Sequence, residues 1–159
     1  MTHRIQEAFT ELHQVTKEKS LFAGKKNEWI CKLNPTEMGM IGEKLVSDVL
    51  GGAITRERAI GYNVIVGEKL IEVKMSRISL SNGFPRLSWG QIRPKDKYTH
   101  ICFVAVYPED VRAFLVPRNE ININNLSFSH GTESEFKMYT VQTRKINELF
   151  PWMAIHEIL

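Results

Sequence analysis

The chain has 159 residues, with 21 Lys and Arg against 18 Asp and Glu, a formal charge of +3 with His neutral. Hydrophobic residues make up 43% and charged residues 25%, values that suit a soluble globular protein and exclude a wholly disordered or fibrous chain. The length fits one domain, 1–159, and a domain of this size buries roughly two-thirds of its unfolded surface without a metal or disulfide staple. Cys31 and Cys102 form no CxxC pair, which argues against a zinc site or a disulfide framework. Residues Met1 to Glu7 contain no apolar signal region, and no apolar run nears the roughly 18 residues of a membrane span. The expectation is a cytoplasmic protein that meets no membrane.

Taken in chain order, Thr2 to Lys19 reads as a helix, with Ile5, Phe9, Leu12 and Val15 on one face. Ser20 to Asn34 carries mixed signals and is left unassigned. Asn34-Pro35 reads as an N-cap followed by proline at the first helical position. That helix turns Met38, Ile41, Leu45, Val46 and Val49 inward and stops at Gly51-Gly52. Gly61 to Val66 and Lys69 to Met75 read as a β-hairpin around Gly67-Glu68. Ser79 to Pro85 reads as a polar loop, Phe84 to Trp89 as a short strand, and Gly90 to Arg93 as a short helix ended by Pro94. Thr99 to Tyr107 is apolar enough for a central strand covered on both faces, with Cys102 as a small buried hydrophobe. Val111 to Val116 is its neighbour. Asn119 to Asn125 and Ser127 to Glu135 read as loops, Phe136 to Val141 as a strand, and Ile146 to Leu159 as a segment packing back on the core. Trp29, Trp89 and Trp152 read as core or interface anchors.

Asn63, Glu72 and Lys74 stand out together. Glu72 and Lys74 are two apart on one strand, so their side chains leave the same face, while Val73 points to the other. With Gly67-Glu68 as the turn, Asn63 comes level with Glu72. An acidic residue, a position held here by Asn63, then a hairpin and then Glu-x-Lys resembles the core of the PD-(D/E)XK nuclease superfamily. Glu43, on the helix before the hairpin, matches the helical Glu that many members carry. Gln91, on the element after the Glu-x-Lys strand, matches a polar residue common there. The resemblance runs over about half the chain, from Glu37 to Pro117, and is nearest to small type II restriction endonucleases and mismatch-repair nicking enzymes. It implies an α/β fold with a restriction-endonuclease-like core, a central mixed sheet flanked by helices. In that scheme 1–34 is a helical segment and candidate dimer element, 35–117 the catalytic core, and 118–159 the DNA-contacting loops and packing segment.

The resemblance also implies Mg²⁺-dependent, sequence-specific cleavage of double-stranded DNA, with Mn²⁺ as a substitute ion and a homodimer matching a palindromic site. Position 63, Glu72, Glu43 and the Val73 carbonyl would be metal ligands, oxygen donors of the kind Mg²⁺ prefers. Lys74 would stabilise charge developing on the phosphate, and Gln91 would hold a water or the DNA backbone. The family pattern expects Asp at 63. Asn offers a neutral amide oxygen there, so metal affinity and hydrolysis should fall while DNA binding survives. This implies either a nuclease changed from Asp to Asn or a non-catalytic pseudo-nuclease; a structure-specific repair nickase is a further alternative.

Positive charge gathers behind the Glu-x-Lys strand. Arg77, Arg86, Arg93, Lys95 and Lys97 are opposed only by Asp96 between Met75 and Tyr98, a stripe suited to phosphate contacts. Ser79, Ser81 and Asn82 lie in a loop able to reach base edges in a groove. Asn124, Asn125, Ser129 and His130 form a second candidate DNA-reading stretch. Lys25, Lys26, Lys137, Arg144 and Lys145 read as surface charges.

Overall fold

A computed structural model describes residues 5–11, 13, 21–55, 61–121, 126–130, 138–143 and 149–159. Residues 5–11 and 13 are helical, with Ile5 and Phe9 exposed, and a 3₁₀ turn covers Glu28–Lys32. Leu12 and Val15 lie outside the described residues. Helix α1 (Pro35–Leu50) begins as the sequence predicts. Asn34 accepts from the Glu37 amide, and the Glu37 carboxylate accepts from the Asn34 amide, a complete capping box with proline in the first turn. It ends at Gly51 in the left-handed conformation, φ 66°. Val49, expected inward, is exposed; Leu45, Val46 and Leu50 are the residues of the last two turns that join the core.

Five strands form a mixed sheet in the order β1 (Ala53–Ile54), β2 (Val64–Val66), β3 (Lys69–Arg77), β7 (His100–Val106) and β8 (Val111–Pro117). The β2–β3 hairpin is antiparallel, with Val64 opposite Ile71. Gly67 opens its turn at φ 57°, a conformation glycine adopts at no steric cost. Strands β3 and β7 pair in parallel, Glu72 beside Ile101 and Lys74 beside Phe103. Strand β8 runs antiparallel to β7, and residues 156–159 pair along the outer side of β8 through Phe114 and Glu157.

Alternation along the strands makes two cores. Ile71 and Val73 of β3, Cys102 and Val104 of β7, and Val64 face helix α1 and pack with Val46. The helix comes closest at Gly42, where an added Cβ would lie 3.1 Å from the Met75 Cβ. Burial here pushes the Cys102 thiol up to about 12, which keeps it protonated and inert. On the other face, Ile101, Phe103, Ala105, Phe114 and Val116 form the larger core with Trp89, Ile92, Val141 and Met153. A second sheet covers that face, in the order β6 (Ser88–Ile92), β10 (Met138–Gln142), β9 (Ser127–His130). The short helix α2 (Pro151–Ala154) lies there too, its Trp152 ring set edge-on to Phe103 at 6.0 Å. The protein is thus α/β, a five-stranded mixed sheet flanked by helices.

Three local expectations are corrected. Gly90 to Arg93 is not a helix: Ser88–Ile92 is strand β6, paired with β10. The Ser79–Pro85 stretch is not a loop but a two-stranded ribbon, β4 (Ser79–Ser81) and β5 (Phe84–Arg86). Asn82 and Gly83 turn it with φ of 52° and 80°, the two positive values a type I′ turn requires. Part of the second predicted loop, Ser127–His130, is strand β9. Among the described residues no helix is long and apolar enough to cross a membrane.

Candidate functional site

Strand β3 presents Glu72, Lys74 and Ser76 on the face away from α1. The Glu72 Oε1 and Lys74 Nζ lie 2.7 Å apart, with the two side chains only 14% and 16% exposed. This pair sits where the cover over the sheet begins. Toward β2 the same face opens, and Ile65 is exposed there. Toward β7 it is closed by Trp89, whose ring packs edge-on against Phe103 at 5.5 Å and whose Nε1 donates to the Val104 carbonyl at 2.9 Å. Ser76 marks the join: its hydroxyl accepts from the Ser88 amide at 3.0 Å, tying β3 to β6.

Asn63 flanks the pair from the end of β2. Its amide N–H donates to the Ile71 carbonyl at 2.8 Å, and its Oδ1 accepts from the Val73 amide at 2.9 Å. The Asn63 side chain therefore continues the hairpin ladder where the backbone pairing stops. The approach to Asn63 is fixed by Gly61, φ 77°, which packs on Asp96 so tightly that a Cβ would come within 2.5 Å of the Asp96 Cβ.

Asp96 belongs to a segment held by a residue that the sequence reading missed. Arg118, just past β8, donates from its guanidinium to the carbonyls of Pro94, Asp96 and Tyr98 and lies over the Tyr98 ring at 4.7 Å. Its partners are backbone carbonyls more than a dozen residues away, so no side-chain pattern could announce it. Burial raises the Tyr98 phenol; Arg118 opposes the rise, and Asp96 and Glu72 add to it.

The predicted residues divide. Asn63, Glu72, Val73 and Lys74 come together on the hairpin. Glu43 is half-buried on α1, and that helix packs on Val73 and Met75, the opposite side of β3 from the Glu72–Lys74 pair. Gln91 lies exposed in β6 at a bulge, with φ 55°. Arg77 donates to the Ile30 carbonyl at 3.2 Å, and Arg86 reaches the Gln142 side chain at 3.5 Å. Arg93, Lys95 and Lys97 are exposed on the segment that Arg118 organises, and Ser79, Ser81 and Asn82 lie on the ribbon. Ser129 and His130 lie on β9. Asn124 and Asn125, with Lys137, Arg144 and Lys145, lie outside the described residues.

Among the described residues, no three His, Cys, Asp or Glu side chains gather as metal ligands do. The oxygen donors at the hairpin are the Glu72 carboxylate and the second lone pair of the Asn63 amide oxygen. These suit a hard cation such as Mg²⁺ but supply one negative charge, and that charge is shared with Lys74. No model of a known protein family matches the chain, and no curated protein matches it.

Proposed function

We propose that this domain is a PD-(D/E)XK-type endonuclease of double-stranded DNA, of the type II restriction kind, weakened at Asn63. The observation that carries the reading is the Glu72–Lys74 pair, largely buried on a strand whose register sets it beside Asn63. Two apolar residues at 72 and 74 would serve stability as well or better, because desolvating an ion pair offsets much of its attraction. A retained charged pair at the edge of a half-open sheet face therefore fits chemistry better than folding.

In this reading Glu72, with the Asn63 amide oxygen, would hold Mg²⁺. When bound, the ion would polarise a phosphoryl oxygen and lower the pKa of a coordinated water. Lys74, steadied by Glu72, places an ammonium where charge builds on the scissile phosphate. Asn63 also positions the strand through its bond to the Val73 amide. Glu43 and Gln91 have no part in this minimal site.

The experiment is Asn63→Asp, assayed on supercoiled plasmid with Mg²⁺, Mn²⁺ or chelator. The expected result is new, metal-dependent nicked or linear DNA, lost again when Lys74→Ala is added. No gain in any metal would sink the hydrolytic reading. One observation favours a second reading, a DNA-binding protein without cleavage: the Asn63 oxygen already serves the Val73 amide. Its mark would be duplex affinity indifferent to Mg²⁺. A repair nickase would instead prefer nicked or branched DNA over intact duplex in competition.

A further inference from the structure

The β4–β5 ribbon pairs within itself and joins neither sheet. Its register sets Ser79 opposite Arg86 and Ser81 opposite Phe84, and directly opposed residues share a face. One face of the ribbon thus carries two hydroxyls, a phenyl ring and a guanidinium, while Leu80 and Pro85 share the other. Phe84 is 67% exposed, next to the Asn82-Gly83 turn. A phenyl ring so placed adds nothing to either core.

The backbone at the ribbon's root is anchored by the Leu87–Thr143 and Ile78–Val106 hydrogen bonds, but the Arg86 side chain there is held loosely. Arg86 Nη1 meets the Gln142 Oε1 at 3.5 Å, and the Gln142 Nε2 meets the Ser88 hydroxyl at 3.3 Å, both at the long end of hydrogen bonding. The Arg86 Nε is buried with no partner among the described residues. Between Glu72 and Asp96 the sequence carries five basic residues and no acidic one, and of these Lys74 is paired with Glu72. A B-form major groove is about 12 Å wide and admits a two-stranded ribbon. Serine hydroxyls and an asparagine amide are matched to base edges there, and an apolar side chain to the thymine methyl.

We infer that the β4–β5 ribbon enters the major groove of duplex DNA, with Phe84 as its apolar anchor and Arg86 exchanging Gln142 for the nucleic acid. This rests on the proposed action on DNA and adds the reading element to it. The test is fluorescence anisotropy of a labelled mixed-sequence duplex with wild type, Phe84→Ala and Arg86→Gln, across a salt series. Phe84→Ala should bind about tenfold more weakly, the loss of one anchoring aromatic, with an unchanged salt slope. Arg86→Gln should bind more weakly and lower the salt slope by about one. Methyl green, a major-groove ligand, should displace the protein, and netropsin, a minor-groove ligand, should not. Because Phe84 is exposed, its truncation should leave the thermal melt unchanged, which circular dichroism checks. If wild type binds but both variants bind equally well, or if netropsin is the competitor, the ribbon assignment is wrong and the DNA reading stands. If wild type does not bind duplex at all, both fall.

Discussion

The two faces of strand β3 are built on opposite plans. Ile71 and Val73 pack on the α1 side, where a Cβ added at Gly42 would lie 3.1 Å from the Met75 Cβ and 3.4 Å from Val73, so that its neighbours would have to give way slightly. One residue away in each case, Glu72, Lys74 and Ser76 present charge and hydroxyl to the other face. The first face has nothing left to bind and serves stability. The second stops short of closure at the pair, with the Trp89 cluster on one side and the open β2 strand on the other. The difference shows how a strand of nine residues can be anchored by one row of side chains and leave the alternate row for chemistry.

The contrast can be broken at several strengths. Ile71→Ala should be the most damaging change, lowering stability by about 2–5 kcal/mol in urea denaturation, because it opens a cavity where α1 packs. Glu72→Gln should cost about 2–3 kcal/mol by leaving the Lys74 ammonium largely buried without its carboxylate. The double change Glu72→Leu with Lys74→Met should recover wild-type stability or exceed it. A double variant as unstable as Glu72→Gln would show that the pair holds the fold, and the two faces would then differ less than proposed.

Smaller effects test the cover over the polar face. Gln91 adopts a left-handed backbone that a side chain disfavours, so Gln91→Gly should stabilise by roughly 1 kcal/mol. Least of all is the pairing of Arg112 with Glu157, Nε to Oε1 at 2.6 Å and Nη2 to Oε2 at 2.8 Å. The hydrogen bonds from Arg112 hold the Glu157 carboxyl below its usual range. Its folded pKa is therefore the lower one: its contribution is complete above the ordinary carboxylate pKa and fades as pH falls through the folded value. Glu157→Gln should flatten the acid limb of stability against pH by an amount within about 1 kcal/mol, as for an exposed pair.

Helix α1 and the β2–β3 hairpin were legible because their signals are local: Asn34 and Pro35 start the helix, Gly51 ends it, and Gly67 turns the hairpin. Glu72 and Lys74 sharing a face follows from strand geometry alone. The Gly90 to Ile92 part of strand β6 reads as helix in the sequence because the strand's partner, β10, lies some fifty residues further along the chain, and short apolar runs do not carry their own pairing. The ribbon's Asn82-Gly83 turn was visible, but the serines around it suggested a loop. Glu43 could be placed on a helix, yet helical spacing does not say on which side of a sheet the helix will lie. Arg118 works through main-chain carbonyls, which carry no residue identity.

The pairing of residues 156–159 along β8 bears on how copies of this protein could meet. The Ala113 and Leu115 amides donate to the carbonyls of Leu159 and His156, and the Ala113 carbonyl accepts from Ile158. From Ala113 to Leu115 that border of the five-stranded sheet is already paired, and at the other border, among the described residues, β1 offers only Ala53 and Ile54. Short or covered borders are how sheets avoid joining edge to edge. A second copy would therefore find little backbone to extend. A continuous ten-stranded sheet, made by joining the five-stranded sheet to that of a second copy, is the arrangement these two borders disfavour.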